Sequence, residues 1–321
     1  MRIAYTECFS GISGDMTVGA LLHAGVSEEL LHKTVAALHI GAELRIRRLD
    51  RSGISATKVD VLVNGKIADR VDDSGHAHSH EHGHAHTHDH THSHAHDHGQ
   101  GQDHTHSQLR RHDHHKHGAV NHRDARSLST IKNIIRKADI PSPAREMAVH
   151  AFELLGEAEA GVHNVPLESI HFHEVGAVDT IVDIVCASVG CHALGVERFI
   201  CSPLNVGGGT VKCAHGEFPV PAPATLALLK GVPIYSSGVQ SELVTSTGAA
   251  LIRALNCSFS AFPSMSVESI GYGAGSREFD GRPSVVRISV GELRTTAGTL
   301  SQSQVEPAVL RQSPGTTLQV V

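Results

Sequence analysis

The sequence predicts an α/β fold in which a mixed sheet has helices on its faces and carries a long disordered His-rich insertion. Two observations lead to this prediction. Segments in which apolar residues alternate with period two, typical of strands, are interspersed with amphipathic segments of helical period. Residues 72–122 contain almost no large apolar side chains, so folding could not compensate their loss of chain entropy.

Composition divides the chain into four zones. Residues 1–71 and 123–291 are predicted to form two parts of one α/β region, residues 72–122 a disordered metal-binding loop within it, and residues 292–321 a low-complexity tail. Aromatic residues make up only 3% of the chain, so Val, Ile, Leu and Ala must build the core. The apolar fraction of 40% suffices for such a core and excludes wholesale disorder.

The first zone predicts a strand, two helices and a hairpin. Alternating β-branched and aromatic residues favour the strand, Gly25 ends the first helix, an amphipathic pattern supports the second helix, and Ser52-Gly53 forms the hairpin turn. In chain order these elements are strand 2–9, helices 15–25 and 28–38, and strands 43–50 and 56–63.

The third zone predicts helices that alternate with strands. Asp179 or Thr180 begins a strongly apolar helix, and the helix at 221–231 has Pro in its first turn and Gly after its end. The predicted elements are helices 128–139 and 143–163, an extended segment 170–175, a helix ending at Cys191, strand 198–204, a loop 205–216, helix 221–231, strand 232–236, helix 247–256, and extended segments 264–275 and 283–291.

Charge and terminal sequence exclude several classes of protein. The formal net charge of −6 argues against general nucleic-acid binding, which needs a basic face. The start MRIAYTECF does not read as a secretory signal, and no apolar run reaches the roughly 18 residues of a membrane span. The six cysteines have no framework spacing. We therefore expect a cytoplasmic protein with free thiols and with neither nucleic acid nor membrane as a partner.

Histidine is the most unusual feature of the composition. Nineteen of the 28 histidines lie between His76 and His122. Imidazole suits Ni, Cu and Zn, and alternate spacing in a flexible chain lets several rings converge on one ion. The tract predicts storage or delivery of an unspecified divalent metal, with a solvated linker as the alternative. The candidate ligands are His78, His80, His82, His84, His86 and His88.

The segment HFHEVGAVDTIVD is the sharpest candidate site. His171 and His173 project from one face of an extended segment, with Glu174 beside them, and Asp179 and Asp183 lie one helical turn apart. Together these side chains could bind Ni²⁺, Mn²⁺ or Mg²⁺. Alternatively, Asp179 caps the helix and the two histidines pack half-buried, and spacing does not decide between these interpretations.

Cys213 and His215 lie two residues apart, beside Gly and Pro. A thiolate and an imidazole at this spacing could bind a soft or borderline metal. For this pair alone, a buried thiol beside a turn histidine is the favoured interpretation.

Three stretches of small residues could approach a phosphate closely. FSGISGDM joins a strand to a helix, where backbone N–H groups can bind an anion, although it lacks the ending of a P-loop. Its Asp15 is a helix cap, a metal ligand or both, and a purely structural turn is an equal alternative. VGGG and TSTGAA are the other two stretches. The candidate binding residues are Ser10, Gly11, Ser13, Gly14, Gly207, Gly208, Thr247 and Gly248.

Six segments together resemble the LarC family of nickel-insertion proteins, over residues 1–291. They are CFSGISGDM (8–16), the His-rich insertion, HFHEVGAVDTIVDI (171–184), KCAHGEFPVPAPAT (212–225), TSTGAA (245–250) and GYGAG (271–275). One departure is Ser246, which stands where the family pattern has Pro.

The resemblance implies a nickel insertase, a metal chelatase of the lyase class. Its substrate would be pyridinium-3,5-bisthiocarboxylic acid mononucleotide, in which Ni²⁺ forms two Ni–S bonds and one Ni–C bond. CTP would be cleaved, with Mn²⁺ or Mg²⁺ present. The base that removes the pyridinium proton would be one of His171, His173, Glu174 and His215, and the product would serve a racemase-type apoenzyme.

The family normally continues into a C-terminal domain associated with CTP binding and oligomerisation, which residues 298–321 do not resemble. We therefore expect either the N-terminal part alone or a frameshifted product, with a separate C-terminal domain as partner and a homo-oligomeric assembly.

Two other functions stay open from the residues. A nickel chaperone or storage protein would explain the histidine tract but not the glycine turns. A metal-dependent hydrolase would use His171, His173 and Asp179 as ligands, but this function would not explain the histidine tract.

Overall fold

The computed structural model describes residues 1–68, 126–172, 178–213 and 216–294, apart from the side chains of His171 and Cys213. The predicted His-rich loop, with its candidate ligands, lies outside these residues, as do His173, Glu174 and His215. Most of the predicted tail also lies outside them, although the last strand extends two residues past the predicted boundary at 291.

Fourteen strands occur in this part of the chain. They are β1 (Arg2–Glu7), β2 (Ala42–Arg51), β3 (Ile54–Val63), β4 (Lys66–Ile67), β5 (Arg126–Ser127), β6 (His171–Phe172), β7 (Arg198–Cys201), β8 (Leu204–Asn205), β9 (Thr210–Cys213), β10 (Gly216–Pro219), β11 (Ile234–Tyr235), β12 (Ser258–Phe259), β13 (Met265–Ala274) and β14 (Val285–Leu293).

Eight of these strands form one mixed sheet, which confirms the predicted fold class. Their order is β12–β7–β1–β14–β13–β3–β2, and β4 pairs with β3. β1 runs parallel to β7 but antiparallel to β14, so the strand pairing changes from parallel to antiparallel at β1. The predicted hairpin is confirmed, since Arg51 of β2 pairs with Ile54 of β3 around the turn at Ser52-Gly53.

Seven α-helices pack in the described residues. They are α1 (Gly14–His23), α2 (Glu28–Ala37), α3 (Leu128–Lys137), α4 (Ser142–His163), α5 (Val178–Ala193), α6 (Pro223–Leu228) and α7 (Ser246–Ala254). Each corresponds to a predicted helix, with ends displaced by a few residues. None of them is long and apolar enough to cross a membrane.

The core lies between the helices and one face of the sheet. α5 is buried at every residue from 180 to 191, since it packs against α1, α2, α4 and α7. Alternation in β1 directs Ala4 into this core and directs Ile3 and Tyr5 to the opposite face. There Ile3 and Tyr5 form a small second cluster with Ile200.

Helix α1 lies unusually close to the sheet because glycines face it. A Cβ at Gly271 of β13 would overlap the carbonyl oxygen of Ala20, and a Cβ at Gly273 would overlap that of Met16. From the helix side, a Cβ at Gly19 would overlap the carbonyl oxygen of Thr57 in β3. The GYGAG segment therefore has a packing function between β13 and α1.

Two predicted elements are wrong in part. The loop predicted over 205–216 contains β9, which forms a hairpin with β10. The strand predicted over 198–204 is broken, because Pro203 has no N–H group for the ladder and the chain leaves the main sheet there. Beyond the break, β8 pairs with β11 instead.

The five cysteines whose side chains are described are free thiols. The sulfur atoms of Cys8 and Cys201 lie 3.7 Å apart in the core. Burial raises the pKa of Cys191 to about 12, so its thiol stays protonated and unreactive at neutral pH.

Candidate functional site at the helix amino termini

Three loops that are distant in sequence meet at one end of the sheet. Ile12, after β1, forms a parallel bridge with Val244, before α7. Gly207, after β8, forms an antiparallel bridge with Glu242. The three stretches of small residues singled out in the sequence are therefore neighbours in space.

Glycines are required where these loops touch. A Cβ at Gly11 would overlap the carbonyl oxygen of Leu243, and a Cβ at Gly207 would overlap that of Ser241. Both glycines also have positive φ, of 79° and 80°, which L side chains rarely adopt. Gly248 lies in the same way against the carbonyl oxygen of Ile12. These contacts explain why glycine is required at these positions, whether or not a ligand binds there.

Helices α1 and α7 both begin at this junction. Thr245 caps α7, since its hydroxyl accepts a hydrogen bond of 3.2 Å from the N–H of Gly248. Ser13 stands at the corresponding position of α1, but its hydroxyl donates to the carboxylate of Asp15 instead of capping the helix. Two positive helix ends therefore lie side by side, an arrangement that favours a bound anion.

Helix α5 brings its amino end to the same place. A Cβ at Gly14 would lie 2.5 Å from Oδ2 of Asp183, and a Cβ at Gly190 would lie 3.1 Å from Cδ1 of Leu21. The contacts advance in the same direction along α1 and α5, so the two helices run parallel. The first turn of α5, with Asp179, therefore lies at the end of the molecule where α1 and α7 start.

A buried lysine compensates the carboxylate at the start of α1. Asp15 accepts a hydrogen bond of 2.8 Å from the N–H of Met16 and pairs with the ammonium group of Lys58. Only 4% of the Lys58 side chain is exposed, and its Nζ also lies 3.9 Å from Oδ1 of Asp60. Asp15 is thus one end of a charge network and adds no uncompensated negative charge to the junction.

Asp60 continues this network towards the surface. Burial by itself raises the pKa of its carboxyl, but the hydrogen bonds and positive charges of Arg45, Lys58 and Arg47 together lower it below its ordinary value. The Nη2 atoms of Arg45 and Arg47 lie 3.0 and 2.9 Å from Oδ2 of Asp60. Asp60 therefore stays ionised beside the ammonium group of Lys58.

Two cavities open at the junction. The smaller has a volume of about 150 Å³, and its polar lining includes Ser10, Ser13, Ser276, Arg277 and Ser284. The larger has a volume of about 290 Å³ and lies between the end of α4, the β9–β10 hairpin and the starts of α6 and α7. Glu242 and Thr245 line both cavities, so the two are adjacent.

The predicted binding residues fall into two groups. Ser10 and Ser13 line the smaller cavity. The others lie in the contacts between loops: Gly11, Gly14, Gly207 and Gly248 as described above, Thr247 against Gly14, and Gly208 beside Gln240. A ligand-binding role for any of these residues stays a prediction.

The predicted metal ligands are only partly within the described residues. Asp15 and Asp183 lie at the junction, and Asp179 lies one turn before Asp183 on α5. The backbone of His171 pairs with Ser127 in the β5–β6 ribbon. No group of three or more potential metal ligands occurs among the described side chains, and the predicted ligand set stays a prediction.

Five titratable residues in the cavity linings were not predicted from the sequence. They are Glu159, His163, Lys212, Glu242 and Arg277. Lys212 belongs to a motif that the sequence did single out, whereas Glu242 and Arg277 stand in irregular segments with no periodic signal. Their meeting depends on contacts between loops, which local patterns do not contain.

Comparison with known proteins identifies the family. A family model described as nickel insertion protein matches residues 4–311. The chain belongs to this family. The nickel-insertion resemblance predicted from the motifs is thereby confirmed. No solved structure matches the chain.

Curated members of the nickel insertion family cover most of the chain. The pyridinium-3,5-bisthiocarboxylic acid mononucleotide nickel insertion protein of Geobacillus kaustophilus is 37% identical over 91% of this chain and 60% of its own length. Proteins of the same name from Desulfitobacterium hafniense and Thermotoga petrophila are 40% and 41% identical, over 59% and 61% of their lengths. The chain thus spans about three-fifths of the length of these relatives.

Proposed function

We propose that this chain inserts Ni²⁺ into pyridinium-3,5-bisthiocarboxylic acid mononucleotide, the substrate named for its relatives. The observation that supports this best is the junction where α1 and α7 begin beside two cavities. A mononucleotide with two thiocarboxylates is strongly anionic, and paired helix amino ends with neighbouring hydroxyl groups suit an anion. The reaction is that of a metal chelatase, in the lyase class.

Nickel is a substrate in this proposal. The histidine tract collects the ion, and the segment before α5 positions it, because α5 starts at the junction. The proposed ligands are His171, His173, Glu174, Asp179, Asp183, Asp15, Cys213 and His215. The proton acceptor for the pyridinium C–H is proposed among His171, His173, Glu174 and His215.

CTP and Mn²⁺ or Mg²⁺ are included in the proposal. The carboxylate of Asp183 lies against the turn at Gly14, beside Thr247, and such oxygen donors suit either cation. A racemase-type apoenzyme is the proposed recipient of the product. A separate C-terminal polypeptide, a homo-oligomeric assembly and a cytoplasmic location complete the proposal.

Insertion can be tested directly with the purified chain. Ni²⁺ and the bisthiocarboxylated mononucleotide are added with and without CTP and Mn²⁺ or Mg²⁺, and nickel–thiolate absorbance and product mass are followed. We expect a product that contains one nickel ion and requires CTP. Asp183→Asn should reduce its rate by about 10-fold or more, as loss of a metal-site carboxylate does. The exposed Asp139→Asn on the α3–α4 connection is the matched control.

A failed assay also has a defined meaning. No product with the chain alone, followed by product after a separately expressed C-terminal domain is added, would show that two polypeptides share the activity. No product under either condition would contradict the proposal.

Nickel storage without catalysis is a second candidate, favoured by the histidine tract alone. Deletion of residues 76–122 separates the two functions. An insertase should retain its rate in excess nickel, whereas a storage protein should lose most of its binding capacity and should never yield product.

A further inference from the structure

The two cavities at the junction differ in chemistry but share a wall. Glu242 and Thr245 line both of them and are half-buried. The volumes of about 150 and 290 Å³ are each below the roughly 300–1,000 Å³ of ordinary small-molecule sites, whereas together they fall within that range. This suggests one ligand with two chemically different ends.

We propose that the cavities form one bipartite cleft, in which the smaller binds a phosphate monoester and the larger binds a carboxylated heteroaromatic ring of the same ligand. The inference rests on the proposed function for the identity of the ring, but its geometry comes from the cavity linings. It assigns binding roles to Arg277 and Lys212, neither of which is among the binding residues predicted from the sequence.

The smaller cavity has the donors that a phosphate needs. Arg277 hydrogen-bonds Ser241 Oγ at 2.5 Å and the carbonyl oxygen of Glu242 at 3.2 Å, and both contacts start from Nη1. A guanidinium carries five N–H donors in a planar fork, so Nε and Nη2 can face an anion. Ser276 and Ser13 also line this cavity, but their hydroxyl groups donate to Asp15, so Arg277 is the main donor for a phosphate.

Charge in the smaller cavity also favours an anion. The carboxylate of Asp15, next to this cavity, is paired with the buried ammonium group of Lys58, and the carboxylate of Glu242 belongs to the cavity lining. The amino end of α1 begins at the same wall and adds its partial positive charge. Arg277 and the amino end of α1 therefore supply the positive charge that offsets Glu242 and that an anion needs.

The larger cavity suits a flat ring with acidic substituents. Its walls are mainly apolar, and Phe218 supplies an aromatic face. Lys212 is exposed on β9 in its lining, which also contains Glu242 and the pair formed by His163 with Glu159. A carboxylate or thiocarboxylate on the ring can pair with Lys212 while the ring lies against Phe218. The apolar lining runs over Val162, Val211, Phe218, Ala222, Pro223 and Ala224.

The test uses probes that contain one or both ends of the ligand, and neither nickel nor CTP is present. Ribose 5-phosphate represents the phosphate end, pyridine-3,5-dicarboxylate the ring, and pyridinium-3-carboxylate mononucleotide both. Calorimetry on the full chain measures each affinity. Both single-ended probes should bind at the same time, and the mononucleotide should displace both.

Two charge variants locate the ends. Arg277→Gln should weaken ribose 5-phosphate by about 10-fold or more and leave the ring probe unchanged, and Lys212→Gln should do the reverse. Arg136→Gln and Lys137→Gln, exposed at the end of α3, are the matched controls and should change nothing.

Several results would overturn the cleft. These are competition between the two single-ended probes, equal weakening of all probes by both variants, or an absence of binding. The insertion assay separates this failure from failure of the proposed function. If both variants insert nickel at the wild-type kcat/KM, the proposed function stands and the cleft is excluded. If the probes bind as expected but the chain inserts no nickel, the cleft stands and the proposed function is excluded.

Discussion

Gly271 and Gly273 illustrate how single residues set the distance between elements. Both stand in β13 with ordinary strand conformation, so conformational freedom does not explain them. Their missing side chains let the backbone of α1 contact the sheet, with the carbonyl oxygens of Ala20 and Met16 where Cβ atoms would be. Because α1 begins at the candidate site, its distance from the sheet also sets the position of Ser13 and Asp15.

Gly273→Ala should destabilise the fold markedly. The new Cβ would overlap backbone atoms of α1, which can move only if the helix shifts, so we expect a loss of about 1–3 kcal/mol or more in the free energy of unfolding. Urea denaturation measures it as a lower midpoint at unchanged slope. Gly161→Ala in α4 is the control, since no atom lies within 4 Å of its Cβ position, and helix propensity predicts a gain of about 0.5–1 kcal/mol. Equal effects of the two substitutions would contradict the packing argument.

Helices α1, α5 and α7 place the candidate site at one end of the molecule. Each amphipathic or apolar helix was predictable, but the parallel arrangement of α1 and α5 follows from the contacts of Gly14 with Asp183 and of Leu21 with Gly190. The bridge between Ile12 and Val244 then aligns the starts of α1 and α7. The result is a site built from helix ends, where unsatisfied N–H groups are concentrated.

Thr245→Ala tests the cap of α7. Loss of the hydroxyl that accepts from the N–H of Gly248 should cost about 1 kcal/mol of stability. Ser127→Ala is a matched control, because Ser127 caps α3 by accepting from the N–H of Thr130 at the same distance of 3.2 Å. Denaturation should show similar losses for both variants. Only Thr245→Ala should also weaken pyridinium-3-carboxylate mononucleotide, and an equal loss of binding in Ser127→Ala would show that stability alone is being measured.

The eight-stranded sheet takes strands from both sides of the histidine-rich segment predicted over residues 72–122: β1 to β4 precede it, and β7 and β12 to β14 follow it. β4 precedes this segment and pairs with β3, and β5 follows it and pairs with β6. Both pairings involve only residues outside the segment.

Deletion of residues 76–122 should separate folding from metal capacity. The unfolding midpoint of the metal-free chain should stay unchanged, while the number of nickel ions bound per chain, measured by equilibrium dialysis with elemental analysis, should fall sharply.

Acid should likewise lower the number of nickel ions that the intact chain binds. Imidazole binds metal only when neutral, so lowering the pH well below about 6.5 should release most of the tract-bound nickel. Unchanged binding at about pH 5 would exclude histidine ligation by the tract.

Much of the fold could be predicted because strand and helix periods are local properties. The hairpin around Ser52-Gly53 and the helix over 143–163 were predicted within one or two residues at each end. The hairpin of β9 and β10 was missed, since its strands have four residues each and the Gly-rich sequence resembles a loop. Pro203 broke a predicted strand, because the missing N–H group outweighed the apolar pattern around it.

The sequence by itself determined the α/β class, the order of the helices and the nickel insertion family, since these depend on periods, turns and motifs within short stretches of chain. Only the tertiary structure decided that the three small-residue loops meet, that Lys58 pairs with Asp15, and that Arg277 and Lys212 line neighbouring cavities. The physical reason is that these contacts join residues far apart in sequence. Their positions follow from the pairing of distant strands and from the glycines that let α1 and the loops approach.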